Sequence, residues 1–253
     1  MADAPTRKRR PTQADVARLA AVSRPVVSYV LSDDPLVPVA QETRQRVLAA
    51  IAELGYVPDH SARSLRRGKT STIAAIIPDI TNPFYPAFIR GIQDIAEGHG
   101  FDVIAYNTDG EVEKERKGLR TALAGRADGI IITPFRVPHA ELDAIVAQGT
   151  AVVTLGQRGQ PAGAQPIDNL FIDNAAAARA AVAYLIARGH RRIAMVAGKE
   201  GTPPRDMRVQ GYAEALAQHG EAVDRMLVRA GDFSVDEGRI AAAELLRLPE
   251  PPT

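Results

Sequence analysis

Two periodicities divide the chain. From residue 12 to residue 54, apolar side chains recur three or four positions apart, the spacing of helices that bury one face. From residue 73 onward, short and nearly continuous apolar runs alternate with longer amphipathic stretches. That is the spacing of buried strands followed by covering helices.

In the first region Thr12 is a suitable N-cap, and Asp15 three residues later completes an approximate capping box. Val16, Leu19 and Ala20 then fall on one face of a short helix ending near Ala20. Ala21 and Val22 form a tight turn, and Ser23 caps a second helix that tolerates Pro25 in its first turn. Val26, Val27, Val30 and Leu31 supply the apolar side of this helix. A loop with Asp33, Asp34, Pro35 and Pro38 follows. A third helix is expected from about Ala40 to Leu54, with Val47, Leu48, Ile51 and Leu54 inward and Gly55 as its stop. Two short helices across a tight turn, braced by a third, form a helix-turn-helix, whose second helix is sized for the DNA major groove. Its face carrying Arg24, Ser28 and Tyr29 is then either a reading surface or an ordinary solvated one. Arg24 is the favoured base reader, because a guanidinium bonds guanine through two donors.

Next come Ser61-Ala62-Arg63-Ser64-Leu65-Arg66-Arg67-Gly68-Lys69, a short helix that is marginal alone in water. One apolar side chain, Leu65, sits among Arg63, Arg66, Arg67 and Lys69. Such a residue makes a poor core but a good minor-groove wedge, with phosphates neutralising its basic rim. The other reading is a linker whose Leu65 packs on a neighbouring domain.

In the second region strands are expected at Ile73 to Pro78, Asp102 to Asn107, Gly129 to Thr133, Ala151 to Leu155, Phe171 to Asp173, Arg192 to Val196 and Met226 to Val228. Helices are expected at Pro86 to Gly98, Glu113 to Ala124, His139 to Gln148, Ala175 to Arg188, Arg205 to His219 and Ser234 to Leu246. This is an α/β pattern with parallel sheets covered on both faces, and ligands in such folds bind beyond the carboxyl ends of the strands. After the first strand comes Asp79-Ile80-Thr81-Asn82-Pro83-Phe84-Tyr85, which has no glycine-rich phosphate loop. Aromatic rings and an amide suit a sugar or purine; alternatively Phe84 and Tyr85 cap the helix and pack the core.

Charge sharpens the division. Residues 1–69 hold 12 Lys/Arg against 7 Asp/Glu, while the remainder holds 19 against 23. A basic head on a slightly acidic body suits a polyanion partner, although a solvated basic tail has the same balance. The absence of cysteine excludes disulfides, thiolate metal sites and thiol nucleophiles. Arg7 to Arg10 are followed by Pro11-Thr12-Gln13-Ala14-Asp15 rather than an apolar signal core, and no apolar run is long enough to span a membrane. The histidines are scattered without metal-ligand spacing, and no nucleophile–base motif or phosphate loop occurs. No metal, cofactor or enzymatic activity is therefore expected.

Residues 12–69 resemble the head of the LacI/GalR family of bacterial repressors. The matching stretches are Asp15-Val16-Ala17, Val22-Ser23, Val27-Ser28, Val30-Leu31, Thr43-Arg44, Leu54-Gly55-Tyr56-Val57-Pro58 and Ala62-Arg63-Ser64-Leu65. Residues 73–246 resemble the effector domain of the same family, itself similar to periplasmic sugar-binding proteins. There the matches are Pro78-Asp79, Asn82-Pro83-Phe84-Tyr85, Asp128-Gly129-Ile130-Ile131, Ile172-Asp173-Asn174, Arg188-Gly189-His190-Arg191-Arg192-Ile193 and Arg208-Val209-Gln210-Gly211-Tyr212. The resemblance implies a small all-α helix-turn-helix domain plus a two-lobed, periplasmic-binding-protein-like α/β core. It divides the chain into a basic arm (1–11), a DNA-binding domain (12–60), a hinge helix (61–69), a first lobe (70–190) and a partial second lobe (191–253).

The implied DNA-binding residues are Thr12, Ser23, Arg24, Pro25, Val26, Ser28 and Tyr29 with Arg63, Leu65 and Arg66; the implied effector residues are Asn82, Phe84, Tyr85, Asp173, Asn174 and Arg208. Pro25, Val26 and Tyr29 depart from residue types common in the family, so no relative's base preference carries over. The implied activity is that of a transcriptional regulator, most often a repressor. It binds a palindromic double-stranded operator as a homodimer in the cytoplasm, associated with the nucleoid, and answers to a sugar or related metabolite. Family members usually extend further than Leu248-Pro249-Glu250-Pro251-Pro252-Thr253, where another strand is due, so a truncated second lobe is expected.

Overall fold

In the computed structural model, which describes residues 9–32, 37–57, 68–156 and 167–253, the first helix begins where the capping pattern expects it. The Asp15 carboxylate accepts the Thr12 N–H at 2.9 Å and the Thr12 hydroxyl at 2.6 Å. Helix α1 then runs Gln13–Leu19, α2 Arg24–Ser32 and α3 Gln41–Leu54. Ala21 takes the left-handed region at φ 52, which turns the chain between α1 and α2. Gly55, at φ 60, ends α3 while Tyr56 N–H reaches back to the Ile51 carbonyl.

The core of this first unit is built from small residues: Val16, Ala17, Ala20, Val27, Val30, Val47 and Ala50. Three residues expected on its apolar faces are not in it, and of these Val26 is half-buried. Leu19 and Leu48 are 45% and 49% exposed. At about 100° per residue, Val16, Ala17 and Ala20 centre the buried face of α1 well away from Leu19. On α3 the face of Val47, Ala50, Ile51 and Leu54 likewise leaves Leu48 outside. Alanines at the crossings let the helices approach closely, and the larger leucines stay on the rim.

The chain divides between Gly68 and Lys69 into two compact units. The second unit holds a five-stranded parallel sheet of β1 (Thr72–Ile77), β2 (Asp102–Asn107), β3 (Gly129–Ile132), β4 (Ala151–Leu155) and β5 (Asp168–Leu170), in the order β2-β1-β3-β4-β5. Helices α4 (Phe84–Gly98), α5 (Val112–Leu123) and α6 (His139–Ala147) alternate with these strands. Ala74, Ile76, Ile130, Ile132 and Val152 meet Leu119, Ala122, Leu142 and Ile145 in its buried core. A smaller parallel pair, β6 (Met195–Val196) with β7 (Val228–Arg229), is covered by α7 (Asn174–Ala187), α8 (Pro203–Gln218) and α9 (Val235–Leu246).

Several elements shift from their expected places. The fifth strand forms at Asp168–Leu170 rather than Phe171 to Asp173, because Leu155 and Gly156 close against Leu170 and Asp173 is needed as the cap of α7. The last strand starts at Val228 because Asp224 caps a 3-10 turn over Arg225–Leu227. Helix α4 begins two residues early, since the Asn82 side chain accepts the Phe84 N–H at 3.1 Å. Helix α7 packs its Val182 and Ile186 with Ile193, Tyr212 and Leu216, not with the larger sheet. The chain passes from the larger sheet to the helices around the smaller one between Leu170 and Asn174.

Candidate DNA-reading face and effector cavity

Helix α2 buries Val27 and Val30 and turns Arg24, Pro25 and Tyr29 outward, with Ser23 exposed just before it. Val26 and Ser28 are half-buried at the edges of this face, and Thr12 is exposed at the start of α1. The outward residues combine a five-donor guanidinium with hydroxyls, a set able to bond base edges and phosphates. Arg63, Leu65 and Arg66 lie outside the described residues. The sequence reading missed Arg9 and Arg18, which Asp15 holds at 2.9 and 3.2 Å. Hydrogen bonds from the Thr12 hydroxyl and backbone, more than these arginines, keep the Asp15 carboxyl below the usual range. Their signal was the acidic N3 position lying between two basic residues.

In the second unit all strands of each sheet run parallel, so their carboxyl ends meet on one side. There they enclose a cavity of about 630 Å³. Asn82, Phe84, Tyr85, Asn174 and Arg208 line it as expected. Asp173 does not; its carboxylate caps α7 by accepting the Ala176 N–H at 2.9 Å. Phe84 is 45% exposed and meets Tyr85 edge-on, ring centroids 5.1 Å apart. Burial pushes the Tyr85 phenol up to about 12, so it stays a neutral O–H at physiological pH.

The Arg208 placement depends on a close helix crossing. A Cβ on Gly211 would stand 2.1 Å from the Ala175 carbonyl oxygen, so only glycine lets α8 pack this near α7. The contact brings Arg208 Nε to Asn174 Oδ1 at 2.7 Å, while Asn174 Nδ2 donates to the Ile172 carbonyl at 3.1 Å. With Nε engaged, the rest of the guanidinium fork is available to a ligand.

Sequence reasoning missed Asp79, Asp109, Thr133, Phe135, Lys199 and Asp232, all of which line the cavity. Each follows the end of a strand, and that rule alone would have found them. Asp79 is tied into its own turn by Thr81. Hydrogen bonds from Lys114 and then Asn107 hold the Asp109 carboxyl low, and the Ser234 hydroxyl does the same for Asp232. Thr133 is buried, with its hydroxyl beside the Tyr85 phenol. The cavity thus offers carboxylates, cations, amides, hydroxyls and rings, a set suited to polyhydroxylated ligands with an apolar face. Among the described residues no cluster has the composition of a metal site, and no helix is long and apolar enough to cross a membrane.

Both units have relatives among known proteins. Residues 12–59 match the family model described as bacterial regulatory proteins, lacI family. Residues 70–253 match that for periplasmic binding proteins and the sugar binding domain of the LacI family. The HTH-type transcriptional repressor CytR of Escherichia coli (strain K12) is 35% identical over 242 residues, covering 96% of this chain and 70% of that protein. A structure of the lac repressor dimer bound to operator and the anti-inducer ONPF is 25% identical with a TM-score of 0.78, covering 97% of this chain and 72% of that one. A complex of the transcriptional regulator CelR with cellobiose is 33% identical with a TM-score of 0.57, covering 94% and 70%.

Proposed function

The chain belongs to the LacI family of bacterial regulatory proteins, and on that premise we propose how its residues divide the work. It is a sequence-specific DNA-binding transcriptional regulator, a repressor and not an enzyme. It takes a palindromic operator as a homodimer and answers to a small effector, a sugar or related metabolite. The finer assignments are ours. Arg24, with Ser23, Pro25, Val26, Ser28 and Tyr29, reads base edges and phosphates in each half-site. Thr12 meets the backbone, Leu65 with Arg63 and Arg66 opens the central minor groove, and binding keeps the protein on the nucleoid. Asn82, Phe84, Tyr85, Asn174 and Arg208 hold the effector. Asp173 acts behind them by capping α7.

The observation that carries the effector reading is the meeting of Arg208 with Asn174 in the wall of an aromatic-lined cavity at the strand ends. A planar donor fork beside an amide grips vicinal hydroxyls, while Phe84 offers a stacking face. Effector and operator binding are linked: whatever factor the effector imposes on operator affinity, the operator imposes on effector affinity.

The test is fluorescence anisotropy of the chain on duplex DNA from upstream of its own gene, with a shuffled duplex and a salt series. Binding about a thousandfold tighter to the native duplex is expected. Equal, steeply salt-dependent binding to both duplexes would reduce the head to a phosphate binder. A thermal-shift series with cellobiose as first probe tests the cavity, since a ligand of the folded state raises the melting temperature.

A further inference from the structure

We propose that Glu115 is the positioning residue of the effector cavity: from a buried seat on α5 it holds the loop after β3, and with it the Phe135 ring, in the cavity wall. The proposal rests on the reading of that cavity as the effector site.

Glu115 has no exposed surface. Its carboxylate accepts three successive backbone N–H groups, those of Phe135 at 2.9 Å, Arg136 at 3.2 Å and Val137 at 2.8 Å. A buried carboxylate is very costly without such donors, and consecutive N–H groups form a concavity suited to an anion. The loop needs the carboxylate equally. Thr133 N–H is the last to pair with β1, bonding the Ile76 carbonyl at 2.9 Å. Pro134 and Pro138 have no N–H to offer. The three N–H donors left in the segment are the three that Glu115 takes.

The loop presents Phe135 to the cavity beside Thr133, whose buried hydroxyl faces the Tyr85 phenol. From the other side the ring rests on Gly110, where a Cβ would approach Phe135 Cδ2 to 3.1 Å. Arg136 Nε also bonds the Gly110 carbonyl at 3.2 Å. The ring is therefore set by two local devices, a carboxylate beneath its backbone and a glycine under its edge. Replacing Glu115 by Gln puts an NH2 group against N–H donors and leaves at least one of them unsatisfied whichever way the amide turns.

The test places 4-fluorophenylalanine at position 135 of the full chain and records its 19F resonance without ligand. Glu115→Gln is compared with Arg116→Ala. Arg116 ties α5 to Glu141 of α6 at 2.6 Å and bonds Glu113 within its own helix at 2.8 Å but makes no bond to the loop, so it reports loss of helix packing alone. The expected result is a shifted or split resonance in Glu115→Gln and an unchanged one in Arg116→Ala. An unchanged resonance in Glu115→Gln, or an equal shift in Arg116→Ala, overturns the proposal. Should Glu115→Gln fail to fold, Glu115→Asp, one methylene shorter, draws the carboxylate back from the three loop N–H groups and is expected to move the same resonance; no movement there overturns the proposal too. Titration with cellobiose gives the functional arm, with about tenfold weaker binding expected in Glu115→Gln. If cellobiose leaves the wild-type resonance unmoved, cellobiose is not a ligand of the cavity, while the role of Glu115 is decided by the ligand-free spectra.

Discussion

The two units solve the problem of presenting chemistry in opposite ways. The first displays Arg24 and Tyr29 on one face of a single nine-residue helix, and the core beneath consists of valines and alanines. The second gathers its groups from the ends of strands up to about 150 residues apart, Asp79 to Asp232, and supports them with buried polar side chains such as Glu115 and Asn174. A surface helix tolerates change at each displayed position independently. A cavity assembled from many turns depends on residues that never touch the ligand.

The largest expected effect is at such a residue. Gly211→Ala drives a methyl group into the Ala175 carbonyl. It should destabilise the second unit by roughly 3 kcal/mol despite the better helix propensity of alanine. Urea unfolding should register that loss while the first unit's transition stays in place; a neutral result would mean that α7 and α8 separate easily.

Next is Arg208→Ala, which removes the donor fork without touching a core. A loss of roughly 2 kcal/mol in effector affinity is expected, with little change in melting temperature without ligand. Calorimetric titration separates the two quantities. A smaller effect belongs to Arg24→Ala on the displayed face. It should cost about 1.5 kcal/mol of discrimination at one base pair and leave the folding of either unit unchanged, read by anisotropy on single-substitution operators.

The smallest is at Asp15, and it depends on pH. Its carboxyl is held below the ordinary value by Thr12. The stability it contributes is therefore present above the unfolded carboxylate pKa and is lost as pH falls through the lower folded one. Helicity of the first unit should decline below about pH 4 in the wild type, and that part of the decline should be missing in Asp15→Asn.

Much of this was legible beforehand because it is local. The Thr12–Asp15 cap, the Gly55 stop, the outward Arg24 and the β-then-α alternation all follow from neighbouring residues and period. Asn82, Phe84 and Tyr85 were legible because they follow directly on one strand. The misreadings share a different cause. Leu19 and Leu48 are the larger apolar residues, yet the helix crossings selected alanines. The strand expected at Phe171 lost to a register set by β4, and Asp173 went to a cap instead of the cavity. Phe135, Lys199 and Asp232 stood at predictable strand ends, but without a sheet order nothing said that they face one another.

By itself the sequence determined two segments of different period, the basic excess of the first, the absence of any thiol, and a family resemblance carried by short motifs. Periodicity, charge and composition are sums over near neighbours, so they need no coordinates. Only the tertiary structure decided that Glu115 feeds three loop amides, that Gly211 admits the Ala175 carbonyl, and that Arg208 meets Asn174. Those contacts join residues 20 to 36 positions apart, and a pattern of nearest neighbours holds no record of them.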